Sequence, residues 1–502
     1  MQYKEEIKAW VDAHRAEFLE DLKRLVAIDS VMGEACKAAP EEGAELTDAP
    51  FGPGPLKALA AAEKLIKQYG FTAKNYDNYV VTADLNDGER ALDILAHLDV
   101  VPAQEGWTVT EAFEPLVREE EGKIYGRGTS DDKGPALAAL YAMRAVKELG
   151  IPVSCSARLI LGTNEENGSA CIAHYYKTEK EAPMSVSPDA EYPVINIEKG
   201  RMPGVFGATW HRDPVGARIL SITGGTIANA VPSRASAVVG GISRMVADVA
   251  AAEFSRKLGI KFTIEAGGGD VITEKEAGTD TLLTINALGK NAHAAMPQGG
   301  LNALTGLLLL LSGLLTEEVG AGETGVPTGD AAALQSLIRL MPHGETDGTS
   351  LGLKTSDPES GDLTLTFSQL SWNESGLRGL FDCRYPASLT AAEVCRICAA
   401  RFAGEGFWFD GSGATEPHRV PADSRLVKSL TEIYEAYTGL PGDPVCEGGS
   451  TYVHDLKNGV AFGAVMPGTD TRMHGPDEFA VIGELLLTIE MYAQAIAELC
   501  NK

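Results

Sequence analysis

The chain has 502 residues, which exceeds the ~250–300 residues at which a single hydrophobic core stops growing, so the sequence predicts two domains. Its formal net charge is −27, from 43 Lys and Arg against 70 Asp and Glu, which argues against nucleic acid and anionic membrane surfaces as partners. Eight cysteines are too few for a disulfide scaffold at this length and fit a reducing cytoplasm.

The first third of the chain alternates between helical and strand-like patterns. Helical periodicity covers about 5–28 and 55–69, and a strand pattern begins near Asn78. The segment ALDILAHLDVV is nearly continuous in apolar residues, as is typical of a strand buried on both faces. A helix then ends at Gly150, and CSARLILGT forms the next buried strand. The N-terminus lacks the apolar segment of a signal peptide, which also favours the cytoplasm.

The middle of the chain is richer in glycine and in strand-like segments. The end returns to the style of the beginning, with helical patterns at 424–439 and 478–499 and a short strand, GVAFGAV, between them. We therefore predict an α/β fold in which residues 1–199 and 416–502 form one discontinuous domain with a mixed, mostly parallel sheet. Residues 200–415 would form an inserted α+β domain. Within it, the apolar run 304–315 is shorter than the ~20 residues of a membrane span and predicts a buried helix. GAGETG at 320–325 follows that helix rather than a strand, so we interpret it as a loop and not as a dinucleotide site.

Unusual polar residues follow the apolar strands. His97 and Asp99 lie two apart in LAHLDVV, and Glu165 and Glu166 are adjacent in LGTNEENG. A histidine bonded within the core and acids at an exposed strand end are the structural alternatives to a functional site. Asp131 lies on a glycine-flanked turn, where an acid can also cap a helix.

Further candidates are Asp189 in SPDAEYP and His474 in MPGTDTRMHGPDEF. Groups at the carboxyl ends of strands gather in one crevice of an open α/β sheet. Two imidazoles and four carboxylates would need cations there, and nitrogen and oxygen ligands suit Zn²⁺, Mn²⁺ or Co²⁺. Five of these residues supply six ligand contacts to two divalent metal ions if one aspartate bridges, and the carboxylate left over would be a general base.

Five segments carry a resemblance to a known family. HLDVVP, YGRGTSDDKGP, GTNEENG, PDAEYP and GKNAHAAMP occur in the family's order and resemble the di-metal metallopeptidases of the carboxypeptidase G and aminoacylase kind, especially the dipeptidase PepV branch. The likeness extends from the first helix to the C-terminus. It implies a metal-dependent dipeptidase that hydrolyses unblocked dipeptides through water held by two divalent ions, most readily Zn²⁺, with Mn²⁺ or Co²⁺ as alternatives.

The resemblance also implies a role for each candidate residue. His97 and Asp189 would bind one metal, Glu166 and His474 the other, and Asp131 would bridge them. Asp99 would orient His97, and Glu165 would be the general base.

The inserted domain resembles the family's lid, which implies substrate contacts for His293, Asn229 and Arg384; polar strand ends are the alternative. A deacylase of N-acyl amino acids, a β-alanyl dipeptidase and a non-catalytic peptide-binding protein are the alternative functions. The expected partner is a small peptide. The resemblance implies a monomer, with a homodimer as the alternative.

Overall fold

The computed structural model describes residues 1–210, 217–267, 282–315 and 330–501, and the GAGETG segment lies outside this part of the chain. The chain divides into two compact units. Unit 1 comprises Met1–Ile197 and His418–Lys502, and unit 2 comprises Glu198–Pro417. These limits lie two residues from the domain boundaries that we predict from the sequence.

Unit 1 is built on a nine-stranded mixed sheet. Its order is His418–Arg419, Ile195–Glu198, Gly459–Ala461, Met184–Ser187, Arg90–His97, Ser156–Gly162, Val80–Asp84 and Thr72–Tyr76, with Val445–Glu447 paired to Ile195–Glu198. The four strands from Gly459–Ala461 to Ser156–Gly162 are parallel, and their outer neighbours are antiparallel. The predicted α/β class with a parallel centre is confirmed.

Both faces of the central strands are covered, which explains their nearly continuous apolar sequence. Leu159 packs into the larger core and the next residue, Ile160, into a second cluster on the opposite face. Ile94 and Leu95 divide in the same way. Successive side chains of a strand point to opposite faces, so a sheet that packs on both sides needs apolar residues at every position.

Six helices belong to unit 1, among the residues that the structure describes: Lys4–Val26, Pro53–Gln68, Lys133–Glu148, Ala170–Tyr175, Arg425–Thr438 and Ile482–Leu499. The helices predicted at 5–28, 55–69 and 424–439, and the helix end predicted at Gly150, agree with these to within about two residues. The helix predicted at 478–499 begins at Ile482, after a short strand, and Ala170–Tyr175 was not predicted. One predicted strand, GVAFGAV, is instead two short strands, Gly459–Ala461 and Ala464–Val465. Gly463 between them has a φ of 80°, and a side chain there would collide with the ring of Tyr192, so the chain turns at this glycine.

Smaller sheets complete both units. They are Cys36–Ala38 with Thr47–Ala49, Ala190–Glu191 with Ala464–Val465, Leu116–Arg118 with Lys123–Tyr125 and Phe479–Val481, and, in unit 2, Ser356–Asp357 with Gly361–Asp362.

Unit 2 combines an eight-stranded antiparallel sheet with helices, as the predicted α+β character requires. The sheet order is Lys261–Ala266, Leu282–Leu288, Arg234–Gly240, Arg218–Gly224, Thr364–Asn373, Gly376–Tyr385, Gly200–Thr209 and Trp408–Asp410. Its described α-helices are Arg244–Leu258, Ala303–Leu315, Asp330–Leu340 and Ala391–Gly404, with 3₁₀ turns at Pro297–Gly299 and Thr349–Leu351. The apolar run 304–315 is buried in the core of this unit. In the described part of the chain, no helix is both long enough and apolar enough to cross a membrane.

The burial of both sheet faces predicts the effect of two neighbouring substitutions. Leu159→Ala and Ile160→Ala should each lower the free energy of unfolding by about 2–5 kcal/mol, because each leaves a cavity in a different core. Urea denaturation followed by circular dichroism measures both, with the exposed Thr72→Ala as a control that changes stability by less than about 0.5 kcal/mol. A negligible effect of Ile160→Ala alone would show that one face of the sheet is open.

Candidate metal centre

The parallel strands of unit 1 place the candidate residues at one edge of the sheet. His97 is the last residue of its strand and pairs with Gly162, the last residue of the neighbouring strand. Glu165 follows Gly162 by three residues. Asp189 follows the end of Met184–Ser187, which is parallel to the same strand. Because parallel strands have their carboxyl ends at a common edge, residues distant in sequence converge there.

Asp131 and His474 reach the same place from loops. Asp131 precedes the helix Lys133–Glu148 on a turn in which Gly126 and Gly128 have φ values of 146° and 89°, a region that favours glycine. His474 lies between the strands Ala464–Val465 and Phe479–Val481 and has a φ of 64°. Such a conformation costs a non-glycine residue roughly 1–3 kcal/mol, so surrounding contacts must hold this loop in place.

Asp131 lies between the two imidazoles. Its Oδ1 is 3.0 Å from Nε2 of His97, and its Oδ2 is 2.9 Å from Nε2 of His474. Asp189 Oδ2 lies 3.5 Å from the same nitrogen of His97, and Glu166 Oε1 lies 3.2 Å from that of His474. The result is two groups that could each hold a metal ion, His97–Asp131–Asp189 and Asp131–Glu166–His474, with one aspartate in common.

The tautomer of His97 indicates a cation beside its ring. Nδ1 lies 2.9 Å from the backbone oxygen of Asp99, which can only accept, so Nδ1 carries a proton. Nε2 of the fully buried ring faces the carboxylates of Asp131 and Asp189, which also only accept. The lone pair of a neutral imidazole would repel these oxygens. A metal ion among the three atoms, or a second proton on the ring, removes the conflict.

The charges of the six side chains also fit divalent cations. Four carboxylates (Asp131, Glu165, Glu166 and Asp189) and two neutral imidazoles (His97 and His474) sum to −4, which two divalent cations balance. Protonation of both imidazoles would still leave −2. The donors are nitrogen and oxygen only, a set that suits Zn²⁺, Mn²⁺ and Co²⁺. The residues present therefore fit a pair of divalent metal ions.

The pKa shifts report the same excess of negative charge. Burial raises the pKa of Asp189 to about 6, against the attraction of His97. Burial, together with the neighbouring carboxylates, raises the pKa values of Glu165 and Glu166. Burial acts to lower the pKa of His474, but Asp131 and Glu166 outweigh it and raise that pKa to about 11. Without another cation, these groups retain protons to limit their repulsion.

Asp99 contacts both halves of the site. Its backbone oxygen makes the short contact with His97, while its carboxylate lies 3.5 Å from that ring. The carboxylate oxygens accept hydrogen bonds from the backbone N–H groups of Glu165, at 3.0 Å, and Glu166, at 3.2 Å. Asp99 thus fixes the backbone of the two glutamates relative to His97.

Glu165 is near both groups but belongs to neither. It is half-buried, and its pKa is raised, in part by Asp189, Glu166 and Asp131, so these carboxylates lie close enough to repel it. Of two adjacent glutamates, one therefore joins a candidate metal group and the other stands beside it.

The other predicted substrate residues belong to unit 2. Asn229 and His293 lie on adjacent segments, joined by a bridge between Ala230 and His293 and by the N–H of Ala294, which donates to the backbone oxygen of Asn229. His293 is exposed, and its Nδ1 accepts the N–H of Ala295, which places the ring proton on Nε2.

Arg384 lies in the strand Gly376–Tyr385 and is buried. Its Nε and Nη2 donate to the two carboxylate oxygens of Asp382, at 2.6 and 3.2 Å.

Sequence reasoning missed two residues beneath the centre, Arg127 and Glu478. They form a buried ion pair of 2.5 Å, and Glu478 also accepts the N–H of Asp131 at 3.3 Å. Both residues lie inside segments that the sequence analysis singled out, YGRGTSDDKGP and MPGTDTRMHGPDEF. The signal in the sequence that could have identified them was the presence of an arginine and a glutamate in two glycine-containing loops beside candidate ligands.

Comparison with known proteins adds family and fold. The model of Peptidase family M20/M25/M40 matches residues 94–498. The chain is 34% identical over 496 residues to a β-Ala-Xaa dipeptidase of Lactobacillus delbrueckii subsp. lactis, covering 98% of each protein. In fold it is similar to human carnosine dipeptidase 1, with a TM-score of 0.57, 15% identity and coverage of 100% of this chain and 99% of that one. It is also similar to the dipeptidase Dug1p of Saccharomyces cerevisiae, with a TM-score of 0.56, 14% identity and the same coverage.

The family match spans most of the chain, and the bacterial relative aligns along nearly all of its length. The two solved structures share the fold at low sequence identity. These findings agree with the motif order and with the paired donor groups of unit 1. The chain belongs to Peptidase family M20/M25/M40.

Proposed function

We propose that this protein is a metal-dependent dipeptidase that hydrolyses unblocked dipeptides. The observation that carries the proposal is the pair of donor groups that share Asp131, in a peptidase-family chain 34% identical to a β-Ala-Xaa dipeptidase. Peptide hydrolysis at a paired metal site needs a nucleophilic water, a group that accepts its proton and a positive environment for the oxyanion. Unit 1 supplies the residues that would hold the metal ions and a carboxylate, Glu165, that would accept the proton.

Two divalent ions are the proposed cofactors. His97, Asp131 and Asp189 would hold one ion, and Asp131, Glu166 and His474 the other. Zn²⁺ is the proposed metal, with Mn²⁺ and Co²⁺ as alternatives, because the donors are imidazoles and carboxylates without thiolates. When bound, such ions lower the pKa of water and stabilise negative charge on a carbonyl oxygen.

Glu165 is the proposed general base. It directly precedes Glu166 of one donor group, and its backbone N–H donates to the Asp99 carboxylate. Burial raises its pKa, and a raised pKa lets a carboxylate take a proton from water and return it at neutral pH. Glu165 would accept a proton from water as the oxygen attacks the peptide carbonyl, and then donate it to the leaving amine.

Unit 2 would contribute contacts to substrate. His293 carries its ring proton on Nε2 and is suited to donate to the carbonyl oxygen of the scissile bond. Asn229, on the segment beside it, would bind the peptide. Arg384 would bind the substrate's carboxylate, for which a guanidinium offers two parallel N–H donors.

A β-alanyl dipeptide is the second candidate substrate class, and the name of the bacterial relative favours it. We also propose a cytoplasmic monomer. None of the eight cysteines, all of which lie in the described residues, forms a disulfide; five are buried, two are half-buried and one is exposed, as expected in a reducing compartment.

The adjacent glutamates should give opposite results when each is replaced. Glu165→Gln should lower kcat about 10²–10⁴-fold, because the general base is lost, while the bound metal content stays unchanged. Glu166→Gln should release metal, because it removes a member of one donor group. Dipeptide turnover and metal analysis after dialysis measure both, and turnover of Glu165→Gln close to that of the wild type would remove Glu165 from its role.

The shared aspartate should affect both ions, and each terminal donor only one. Asp131→Ala should leave the dialysed protein with less than one equivalent of metal, whereas Asp189→Ala and His474→Ala should each retain about one. Elemental analysis gives the stoichiometry. Equal retention in all three variants would contradict a bridging role for Asp131.

Substrate class is tested with matched peptides on one metal-free preparation. Chelator-stripped protein refilled with Zn²⁺, Mn²⁺ or Co²⁺ should cleave an unblocked α-dipeptide and spare its N-acetylated form. A β-Ala dipeptide in the same assay decides the second candidate. Cleavage of the acetylated peptide alone would assign a deacylase, and failure on every peptide with each metal would argue for a non-catalytic scaffold.

A further inference from the structure

Arg127 and Glu478 link the two loops that carry Asp131 and His474. They are 351 residues apart in sequence, and their side chains are 1% and 0% exposed. Neither residue belongs to a candidate metal group. Each side chain extends from its own loop and binds the other loop.

Glu478 holds the loop of Asp131. Its Oε1 accepts backbone N–H groups from Gly128 at 2.9 Å, Ser130 at 3.1 Å and Asp131 at 3.3 Å. One carboxylate oxygen therefore gathers three amides of the turn that ends at the shared aspartate. Charge-assisted hydrogen bonds of this kind fix backbone geometry more firmly than neutral ones.

Arg127 holds the loop of His474. Its Nη2 donates to the backbone oxygen of Gly475 at 3.1 Å, and its Nη1 donates to Oε2 of Glu478 at 2.5 Å. Gly475 directly follows His474. The planar guanidinium thus binds two points of one loop at a fixed spacing, which the single ammonium of a lysine cannot do.

The loop of His474 needs such support. Arg472, His474 and Asp477 all have φ values between 57° and 64°, which non-glycine residues rarely adopt. Asp477 fastens the loop elsewhere, by accepting the N–H groups of Thr108 and Val109. Those contacts keep the loop folded, while the side chains of Arg127 and Glu478 join it to the turn of Asp131.

We propose that Arg127 and Glu478 are positioning residues that set the distance between Asp131 and His474. Arg127, through the loop of His474, tunes the affinity of one metal ion in preference to the other, and Glu478, through the shared Asp131, tunes the affinity of both. This inference rests on the proposed two-metal centre. His474 belongs to only one donor group, so a shift of its loop weakens that group, while His97, Asp131 and Asp189 keep their arrangement. Residues that orient ligands in this way typically change metal affinity without binding the metal.

The test uses the full chain, stripped with chelator and titrated with Co²⁺ by calorimetry and visible absorption. Arg127→Lys, which loosens the loop of His474, should weaken one of two Co²⁺ ions about 10–100-fold and leave the other within about threefold. Glu478→Gln, which loosens the turn of the shared Asp131, should weaken both ions. Arg144→Lys is the matched control, because Arg144 is a buried arginine away from the centre. It joins its own helix to the helix Lys4–Val26 by donating to Glu148 in the first and to Glu17 in the second. The control substitution should change neither affinity.

Thermal unfolding of the metal-free variants shows whether each one folds, and Arg127→Lys decides alone if Glu478→Gln does not fold. Unchanged affinities for both ions would overturn the proposal. An equal loss at both ions in Arg127→Lys, or the same loss in Arg144→Lys, would also overturn it by indicating a general structural role. Binding of fewer than two Co²⁺ ions by the wild type would instead refute the proposed two-metal centre.

Discussion

The carboxylate of Asp131, placed between two imidazoles, is the constraint on which the rest of unit 1 depends. Its two oxygens lie 3.0 and 2.9 Å from the Nε2 atoms of His97 and His474. A buried carboxylate in that position, with further acids around it, is costly unless positive charge accompanies it. The surrounding fold makes a cation site possible, because parallel strands bring residues that are distant in sequence to one edge of the sheet.

The sequence predicted the strand-end residues because their signal is local. His97 and Glu165 lie at the ends of nearly continuous apolar runs that are typical of buried strands, and the common edge of a parallel sheet then implies their proximity. The boundaries of the helices followed from periodicity in the same way. The break of GVAFGAV at Gly463 did not, because it depends on the ring of Tyr192, a contact between distant parts of the chain.

The remaining features depend on tertiary contacts that no local pattern encodes. The Asp99 carboxylate lies 3.5 Å from the His97 ring and also accepts the amides of Glu165 and Glu166, a contact that the sequence did not predict. The Arg127–Glu478 pair joins loops 351 residues apart in sequence. In both cases a side chain binds backbone N–H or C=O groups, whose positions are defined only after the loops have formed.

The adjacent glutamates show how backbone support separates two chemical roles. Glu165 and Glu166 carry the same side chain, and burial raises the pKa of both. The two side chains differ in orientation. Glu166 contacts His474, whereas Glu165 belongs to neither donor group. Each carboxylate oxygen of Asp99 accepts one of the two glutamate amides. Rotation of the turn that carries Glu165 and Glu166 would therefore move both side chains together and also disturb Asp99, which contacts His97. Identical side chains acquire different roles only if their backbone is held in place. The proposed division between metal ligand and general base therefore depends on the hydrogen bonds from Asp99 to the two amides more than on either glutamate side chain.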